Sequence, residues 1–101
     1  MKYKIDVVRI RENSIQLNGW VIGKTPESKA VFEVLDQNKN PLEIKYVATR
    51  RDDVSQIYFK KACDREFGFD IQFPYERGKT YWLLIRCQGR QAKIKYNEEL
   101  I

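Results

Sequence analysis

Apolar and polar residues alternate along most of this chain, and turn-forming residues separate the alternating segments. Alternation with a period of two is typical of strands that bury one face, and Gly, Pro, Asn and Asp are typical of the turns between them. The alternating segments cover residues 3–10, 14–23, 30–36, 42–48, 66–73, 80–87 and 91–96. The pattern therefore predicts seven strands, of which the last two form a hairpin.

Strands with one apolar face bury it most simply against a second sheet. We therefore expect an all-β fold: an antiparallel sandwich of two sheets, Ig-like or jelly-roll in type, with one short helical turn. The chain has 101 residues, a length that suits one domain. A single β-sandwich domain is accordingly expected over residues 1–101.

The alternation also predicts which side chains face the core. The core-facing residues predicted in the second to sixth segments are Ile15, Leu17, Phe32, Val34, Leu42, Ile44, Tyr46, Ala48, Phe67, Phe69, Ile71, Phe73, Tyr81, Leu83, Ile85 and Cys87. Ile5 and Val7 are predicted on one face, and Val8 and Ile10 on the other. The apolar side of the chain therefore changes at Val7–Val8, which predicts a β-bulge or a change of sheet there. It changes again after Gly19, where Trp20 and Ile22 become the apolar set.

Gly68 lies between two aromatic residues inside a predicted strand. A glycine in such a position usually marks a bulge or the close approach of another chain segment. We expect Gly68 to make room for Tyr58 or Trp20, and Gly19 to serve a similar purpose beside Trp20.

The segment 50–60, with the sequence RRDDVSQIYFK, breaks the alternation. Val54, Ile57 and Tyr58 are spaced as i, i+3 and i+4. This spacing predicts one turn of helix, with these three side chains on the same side of it.

The charged residues before that turn have two interpretations. Asp52 or Asp53 stands where it could cap the free backbone N–H groups of the turn, and Arg50 or Arg51 could pair with a carboxylate or with carbonyls of a neighbouring strand. The alternative is a catalytic acid pair with an arginine. Acid pairs of glycoside hydrolases stand roughly 5 to 9 Å apart across a cleft, whereas adjacent carboxylates diverge. We therefore expect a structural role.

The chain contains no histidine. This absence removes the usual zinc sites, the histidine-dependent nucleophiles and the commonest general base. We expect no catalytic residue, metal site or cofactor in this domain.

The two cysteines, Cys63 and Cys87, are expected to be reduced, with a bridge between them as the alternative. No apolar run approaches the ~18 residues of a membrane-spanning helix, and no signal peptide is recognised, so a cytoplasmic location is expected.

The formal net charge is +5, and the excess is concentrated late in the chain. Residues 77–96 contain no Asp or Glu but six basic residues, namely Arg77, Lys79, Arg86, Arg90, Lys93 and Lys95. A basic face attracts nucleic acid, anionic lipid or phosphorylated substrates. The alternative is an ordinary solvated strand face.

The strand at 80–87 supplies the candidate ligand contacts. Its alternation places Trp82, Leu84 and Arg86 on the outward side. An exposed tryptophan on a flat sheet could stack on a sugar ring or on a base. Trp82 could instead lie on the contact face with the second sheet or in an interface with another domain. Stacking on bases would suit the alternative function, a basic OB-type barrel that binds single-stranded nucleic acid, although most aromatic residues are expected to face inward.

Three short motifs occur in order along the chain: Gly-Trp, Arg-x-Asp-Val and Gly-Phe. In this order they resemble a small β-sandwich domain that lies beside the family 2 (GT-A type) glycosyltransferase domain in bacterial enzymes of cell-wall and capsule polysaccharide synthesis. The resemblance covers about residues 14–88 and implies that the matched residues determine the fold. These residues are Gly19, Trp20, Arg51, Asp53, Val54, Gly68 and Phe69.

The resemblance implies a non-catalytic accessory domain, and nothing in the chain resembles transferase machinery, such as an Asp-x-Asp metal motif. Residues 1–101 would then be a piece of a longer glycosyltransferase. The implied partner is the catalytic domain of the same chain, and the implied tasks are glycan binding, domain positioning, or docking on the anionic inner face of the membrane.

Overall fold

The computed structural model describes residues 1–60 and 65–97. Within these ranges the chain forms two antiparallel four-stranded sheets, and the predicted all-β two-sheet sandwich is confirmed. The strands are β1 (Lys2–Ile10), β2 (Ser14–Ile22), β3 (Ala30–Leu35), β4 (Pro41–Leu42), β5 (Lys45–Thr49), β6 (Gly68–Pro74), β7 (Tyr81–Cys87) and β8 (Arg90–Tyr96). The first sheet has the order β1-β2-β6-β5, and the second has the order β4-β3-β7-β8. This architecture differs from the closed OB-type barrel of the alternative interpretation.

The structure has one strand more than the pattern predicts, because the segment 42–48 is divided between the sheets. β4 pairs with β3 in the second sheet, whereas β5 pairs with β6 in the first. Leu42 and Ile44 pack against the core as predicted. Tyr46 is exposed, because β5 is an edge strand with a neighbour on one side only.

The main core lies between the two sheets and is built from alternate residues of the central strands. Its buried members are Ile15, Leu17, Val21, Val34, Phe69, Ile71, Phe73, Tyr75, Tyr81, Leu83, Ile85, Cys87 and Tyr96. The inward faces predicted for β2, β6 and β7 are therefore confirmed over most of their length. Burial of each large apolar side chain stabilises the fold by about 1.5–3 kcal/mol, which makes this core the main source of stability.

The irregularity predicted in β1 is present, but it lies earlier than Val7–Val8. The register with β2 shifts between Ile5 and Val7, so Asp6 is the extra residue of a bulge. After the bulge Val7 pairs with Asn18 and faces away from the core, whereas Val8 faces the core side. The prediction that Ile5 and Val7 share a face is wrong, because an inserted residue reverses the alternation.

A second, smaller core lies on the outer side of the first sheet. Trp20 and Ile22 point away from the main core, as the sequence predicts, and Val54 and Phe67 bury them. Phe67 was expected to share a face with the inward residues of β6. It precedes that strand instead, and its carbonyl accepts a hydrogen bond from Val21 N–H (3.0 Å).

The helical segment 52–59 covers this second core. It consists of α1 (Asp52–Val54) followed by a π-helical turn (Ser55–Phe59). A π-turn closes hydrogen bonds from i to i+5, so Phe59 comes to the side of Val54 and packs against the second core. Ile57 was predicted on that side but is 67% exposed, because the prediction assumed an α-helical period.

Gly68 makes room for a different neighbour from those predicted. A Cβ atom at this position would collide with the Thr49 side chain and the Arg51 side chain, and not with Tyr58 or Trp20. Gly68 therefore allows β5 and the Arg51 side chain to approach β6.

Cys87 is a buried free thiol in the main core. Cys63 lies outside the described residues, and so does any bridge to it. No helix within residues 1–60 and 65–97 has the length and apolar character needed to cross a membrane.

Candidate functional site

Arg51 lies at the centre of a group of charges on the outer side of the first sheet. Its Nη1 donates a hydrogen bond to Asp6 Oδ2 (2.7 Å), and its Nε and Nη2 donate to the two carboxylate oxygens of Asp53 (3.0 and 2.8 Å). Arg50 Nε donates separately to Asp52 Oδ1 (2.7 Å). The predicted pairing of these arginines with carboxylates is confirmed. We call Asp6, Arg51 and Asp53 the Arg51 cluster.

The predicted side-chain cap is wrong. Arg51 itself occupies the N-cap position of α1, with φ −130° and ψ 82°, and no side chain caps the helix. Asp52 and Asp53 lie inside the first turn, where a carboxylate is favoured by the helix dipole. Each of their carboxylates pairs with an arginine, so the aspartates help to connect the chain around the turn.

The electrostatics of the cluster favour a structural role over catalysis. The hydrogen bond from Arg51 lowers the pKa of the Asp53 carboxyl to about 2. The hydrogen bonds to Asp53 and Asp6 in turn raise the pKa of the Arg51 guanidinium. A carboxyl group that is fully ionised at neutral pH is a poor general acid. The cluster instead joins the bulge of β1 to the start of the helical segment.

We expect the Asp53 carboxyl to titrate near pH 2, and its pKa to rise towards the ordinary value of 3.8 in an Arg51→Met variant. Since the folded-state pKa lies below that of the unfolded chain, the pair stabilises the fold above about pH 4, and this contribution is lost as the pH falls towards 2. Carboxyl-carbon NMR titration measures the pKa. Arg50→Met is the control and should leave the Asp53 pKa unchanged. An equal rise in both variants would contradict a specific Arg51–Asp53 pair.

The outer face of the second sheet carries the candidate ligand contacts. Trp82, Leu84 and Arg86 all point away from the core, as the alternation of β7 predicts. The strand register places them in the middle of three rows, Leu35–Trp82–Lys95, Glu33–Leu84–Lys93 and Val31–Arg86–Gln91. We call these nine residues the outer face.

Trp82 is half-buried in this face. It does not lie between the two sheets, so that alternative for its position is wrong. The Lys93 Nζ lies over its indole ring, 5.2 Å from the ring centroid, and Lys95 is its direct cross-strand neighbour. A cation at this position is attracted by the electron-rich face of the ring. One face of the ring therefore has a lysine ammonium as its neighbour.

The other two candidate contacts are less available than the sequence suggests. Leu84 is only 5% exposed, because the long side chains of Glu33 and Lys93 flank it on either side. Arg86 is exposed, but its Nη1 lies 3.2 Å from Glu33 Oε2 and its Nε donates to Gln91 Oε1 (2.9 Å). Of the three candidates, Trp82 is thus the one that offers a partly exposed aromatic ring for stacking.

The basic residues of 77–96 other than Arg86, which were expected to form a basic face, are not brought together. Lys93 and Lys95 lie on the outer face beside Trp82. Arg77 and Lys79 lie in the turn before β7, where Lys79 Nζ pairs with Glu76 Oε2 (2.7 Å). Arg90 lies at the other end of β7, about 20 Å away by strand length, and pairs in register with the inward-facing Cys87. The basic residues near Trp82 are therefore the two lysines of β8.

A cleft that the sequence interpretation missed opens at one end of the sandwich. It has a volume of about 210 Å³, and its lining includes Pro26, Ala30, Phe32, Tyr46, Arg65 and Glu66. Although Tyr46 is largely exposed, partial burial of its hydroxyl, and then the charge of Glu66, raise the pKa of that hydroxyl. The cleft is smaller than the 300–1,000 Å³ of most ligand pockets. No local motif could reveal it, because its walls come from segments far apart in sequence.

No group of three metal-ligating side chains occurs in the part of the chain that the structure describes. Comparison with models of known protein families found no match, and comparison with curated proteins found none either. Kinship with the accessory domains of glycosyltransferases therefore stays a prediction from the three motifs.

Proposed function

We propose that the chain is a non-catalytic accessory domain of a bacterial glycosyltransferase of surface-polysaccharide synthesis, and that it binds glycan on the outer face of the second sheet. The observation that carries this proposal is the position of Trp82, a partly buried indole on the outward side of the second sheet. The ordered motifs described above supply the link to a glycosyltransferase.

An indole ring in this position suits a sugar. One face of a pyranose ring is largely apolar, and an aromatic ring offers a rigid surface for it with little loss of conformational entropy. The neighbouring ammonium group of Lys95 can donate hydrogen bonds to sugar hydroxyls. A flat sheet also accommodates an extended polymer better than a deep pocket would.

The chemistry of sugar transfer would take place in the catalytic domain of the same protein. This division of labour agrees with the exposed, fully ionised Asp53 and with the lack of histidine. The accessory domain would raise the local concentration of the glycan near the catalytic domain, which is the general consequence of tethering a second binding module.

A second candidate function, domain positioning, is favoured by β1. Tyr3, Val8 and Ile10 lie on the core side of this edge strand and are 39–42% exposed, although their partners in β2 are all buried. The strand therefore extends beyond the cover of the second sheet. An apolar surface of this kind is typical of contacts between domains. The catalytic domain of the parent protein is the occupant we propose for it.

Replacement of Trp82 by Ala is expected to weaken glycan binding by about 5- to 150-fold, because one lost aromatic stacking contact costs about 1–3 kcal/mol. The measurement is a glycan and oligonucleotide screen by NMR shift mapping on the ¹⁵N-labelled domain. Tyr46→Ala is the matched control, because it removes an exposed aromatic ring from the first sheet. Both variants should melt close to the wild type.

The results of this screen distinguish the three candidate functions, which are glycan binding, nucleic-acid binding and domain positioning. Shifts centred on Trp82 with a polysaccharide, and lost in Trp82→Ala alone, would support glycan binding. Shifts at the same residues with a single-stranded oligonucleotide only would support the nucleic-acid alternative. A lack of shifts with every ligand would contradict glycan binding and favour domain positioning through β1.

A further inference from the structure

We propose that the outer face selects an anionic glycan, one that carries carboxylate or phosphate groups, and that Lys93 is the residue that makes this selection. The inference rests on the proposed glycan-binding function and adds the class of polymer. It is carried by the Lys93 ammonium, which lies over the Trp82 ring where a sugar would stack.

A neutral sugar and the lysine compete for the same ring. The Lys93 Nζ lies 5.2 Å from the ring centroid, which is within the range of a cation–π interaction. A pyranose that stacks on the face of the indole covered by Lys93 must first displace this ammonium. It offers hydroxyl groups in exchange, which bind a cation no better than water does. A neutral glycan therefore gains less from Trp82 than it would from an uncovered ring.

An anionic sugar does not meet the same competition. Its carboxylate or phosphate can form a charge-assisted hydrogen bond with the Lys93 ammonium, and such bonds are about twice as strong as neutral ones. The lysine then moves from the ring to the anion, and the indole surface becomes free for the sugar. Binding of the charge and stacking of the ring thus favour each other.

The other charges of the outer face reinforce this selection. Arg86 is already paired with Glu33 and Gln91. Lys93 and Lys95 have no carboxylate within salt-bridge distance among residues 1–60 and 65–97. They occupy alternate positions of β8 and so lie on the same side of the sheet, about 7 Å apart. Two neighbouring cations without a carboxylate partner on one side of β8 suit a polymer with repeated negative charges.

Three dextrans with the same backbone test the inference: neutral dextran, carboxymethyl dextran and phosphorylated dextran. We expect both charged polymers to bind the wild-type domain at least tenfold more tightly than neutral dextran, and the preference to shrink as salt rises. The two charged arms distinguish a carboxylate from a phosphate preference. The Trp82 indole N–H resonance reports whether the ring takes part.

Lys93→Gln is the decisive variant. It should reduce the preference for charged dextrans several-fold, and it should leave neutral dextran binding unchanged or slightly tighter, because the ring is no longer covered. Lys45→Gln is the matched control, since Lys45 is an exposed lysine on β5 of the first sheet. It removes the same charge from the protein but should leave the preference intact.

The outcomes that overturn the inference differ from those that overturn the proposed function. Equal affinity for the three dextrans at Trp82, or the same effect of Lys93→Gln and Lys45→Gln, would refute the selection by Lys93 and leave glycan binding standing. No binding of any dextran would refute the selection by charge, and glycan binding would fall with it only if the wider glycan screen also shows no shifts. Lys93-dependent binding to phosphatidylglycerol vesicles without polymer binding would assign the face to a membrane surface.

Discussion

Replacement of Trp20 by Ala is expected to lower the free energy of unfolding by about 3–5 kcal/mol, the usual cost of removing a large aromatic side chain from a core. Trp20 is 8% exposed and lies against Val54 and Phe67 in the second core. Its ring centroid is 5.3 Å from that of Tyr58, so it contacts the helical segment as well. Removal of the indole leaves a cavity that the first sheet cannot close, because strand pairing on both sides holds β2 in place.

The effect should be largest in the helical segment. The segment 52–59 is short, and its contacts with the rest of the chain run mainly through Val54, Tyr58 and Phe59. Without Trp20 we expect these residues to lose their packing surface and the backbone amides of the segment to lose protection from hydrogen exchange before the sheets do.

The second tryptophan provides the control. Trp82→Ala removes the same side chain from the half-exposed outer face and should cost about 1 kcal/mol or less. Chemical denaturation of the two variants, followed by circular dichroism, measures the difference. Equal losses of stability would mean that the second core contributes little to stability, and would contradict the structural role inferred for the Gly-Trp and Arg-x-Asp-Val motifs.

Gly19→Ala is expected to destabilise the domain by about 2–3 kcal/mol, near the upper end for an overpacked core. A Cβ atom at this position would collide with the backbone carbonyl of Lys4 and approach the Phe69 ring to 2.9 Å. The backbone of β1 cannot move away without losing its pairing with β2 near the bulge. The alanine therefore separates two strands or displaces a buried ring.

Gly23→Ala is the matched control, because both substitutions restrict the unfolded chain in the same way. At Gly23 a Cβ would meet the side chains of Ser28 and Gln88, and not the backbone of a paired strand. The Gln88 side chain can rotate away, whereas the Ser28 Cβ moves only with its backbone, which lies in the unpaired loop 23–29. That loop can shift without breaking strand pairing, so we expect a loss of only about 1 kcal/mol. Thermal unfolding followed by calorimetry compares the two. A cost at Gly19 no greater than at Gly23 would show that β1 adapts freely to the added methyl group.

The outer face illustrates how far the candidate site could be predicted. The alternation of β7 places Trp82, Leu84 and Arg86 outward, and the structure agrees. The burial of Leu84 and the position of the Lys93 ammonium over the indole depend on the register between β7 and β8 and on side-chain conformations. The spacing of residues within one strand contains neither piece of information. The sequence therefore predicts which side chains lie on the outer face but not how much of each is exposed.

The helical segment shows a similar limit. The spacing of Val54, Ile57 and Tyr58 predicts a helical turn, and a turn is present. The choice between an α-turn and a π-turn depends on which side chains pack against Trp20 and Phe67. In the structure Tyr58 contacts Trp20 and Phe59 contacts Phe67, whereas Ile57 remains in solvent.

The sequence by itself determined the fold class, the inward faces of the central strands and the second apolar face at Trp20. These follow from a local rule, since neighbouring residues of a strand point to opposite sides. Only the tertiary structure decided which strands share a sheet, where Asp6 interrupts β1, that Gly68 accommodates Arg51, and that Lys93 covers Trp82. Each of these depends on contacts between residues far apart in the chain, and the period of a single segment carries no information about its neighbours.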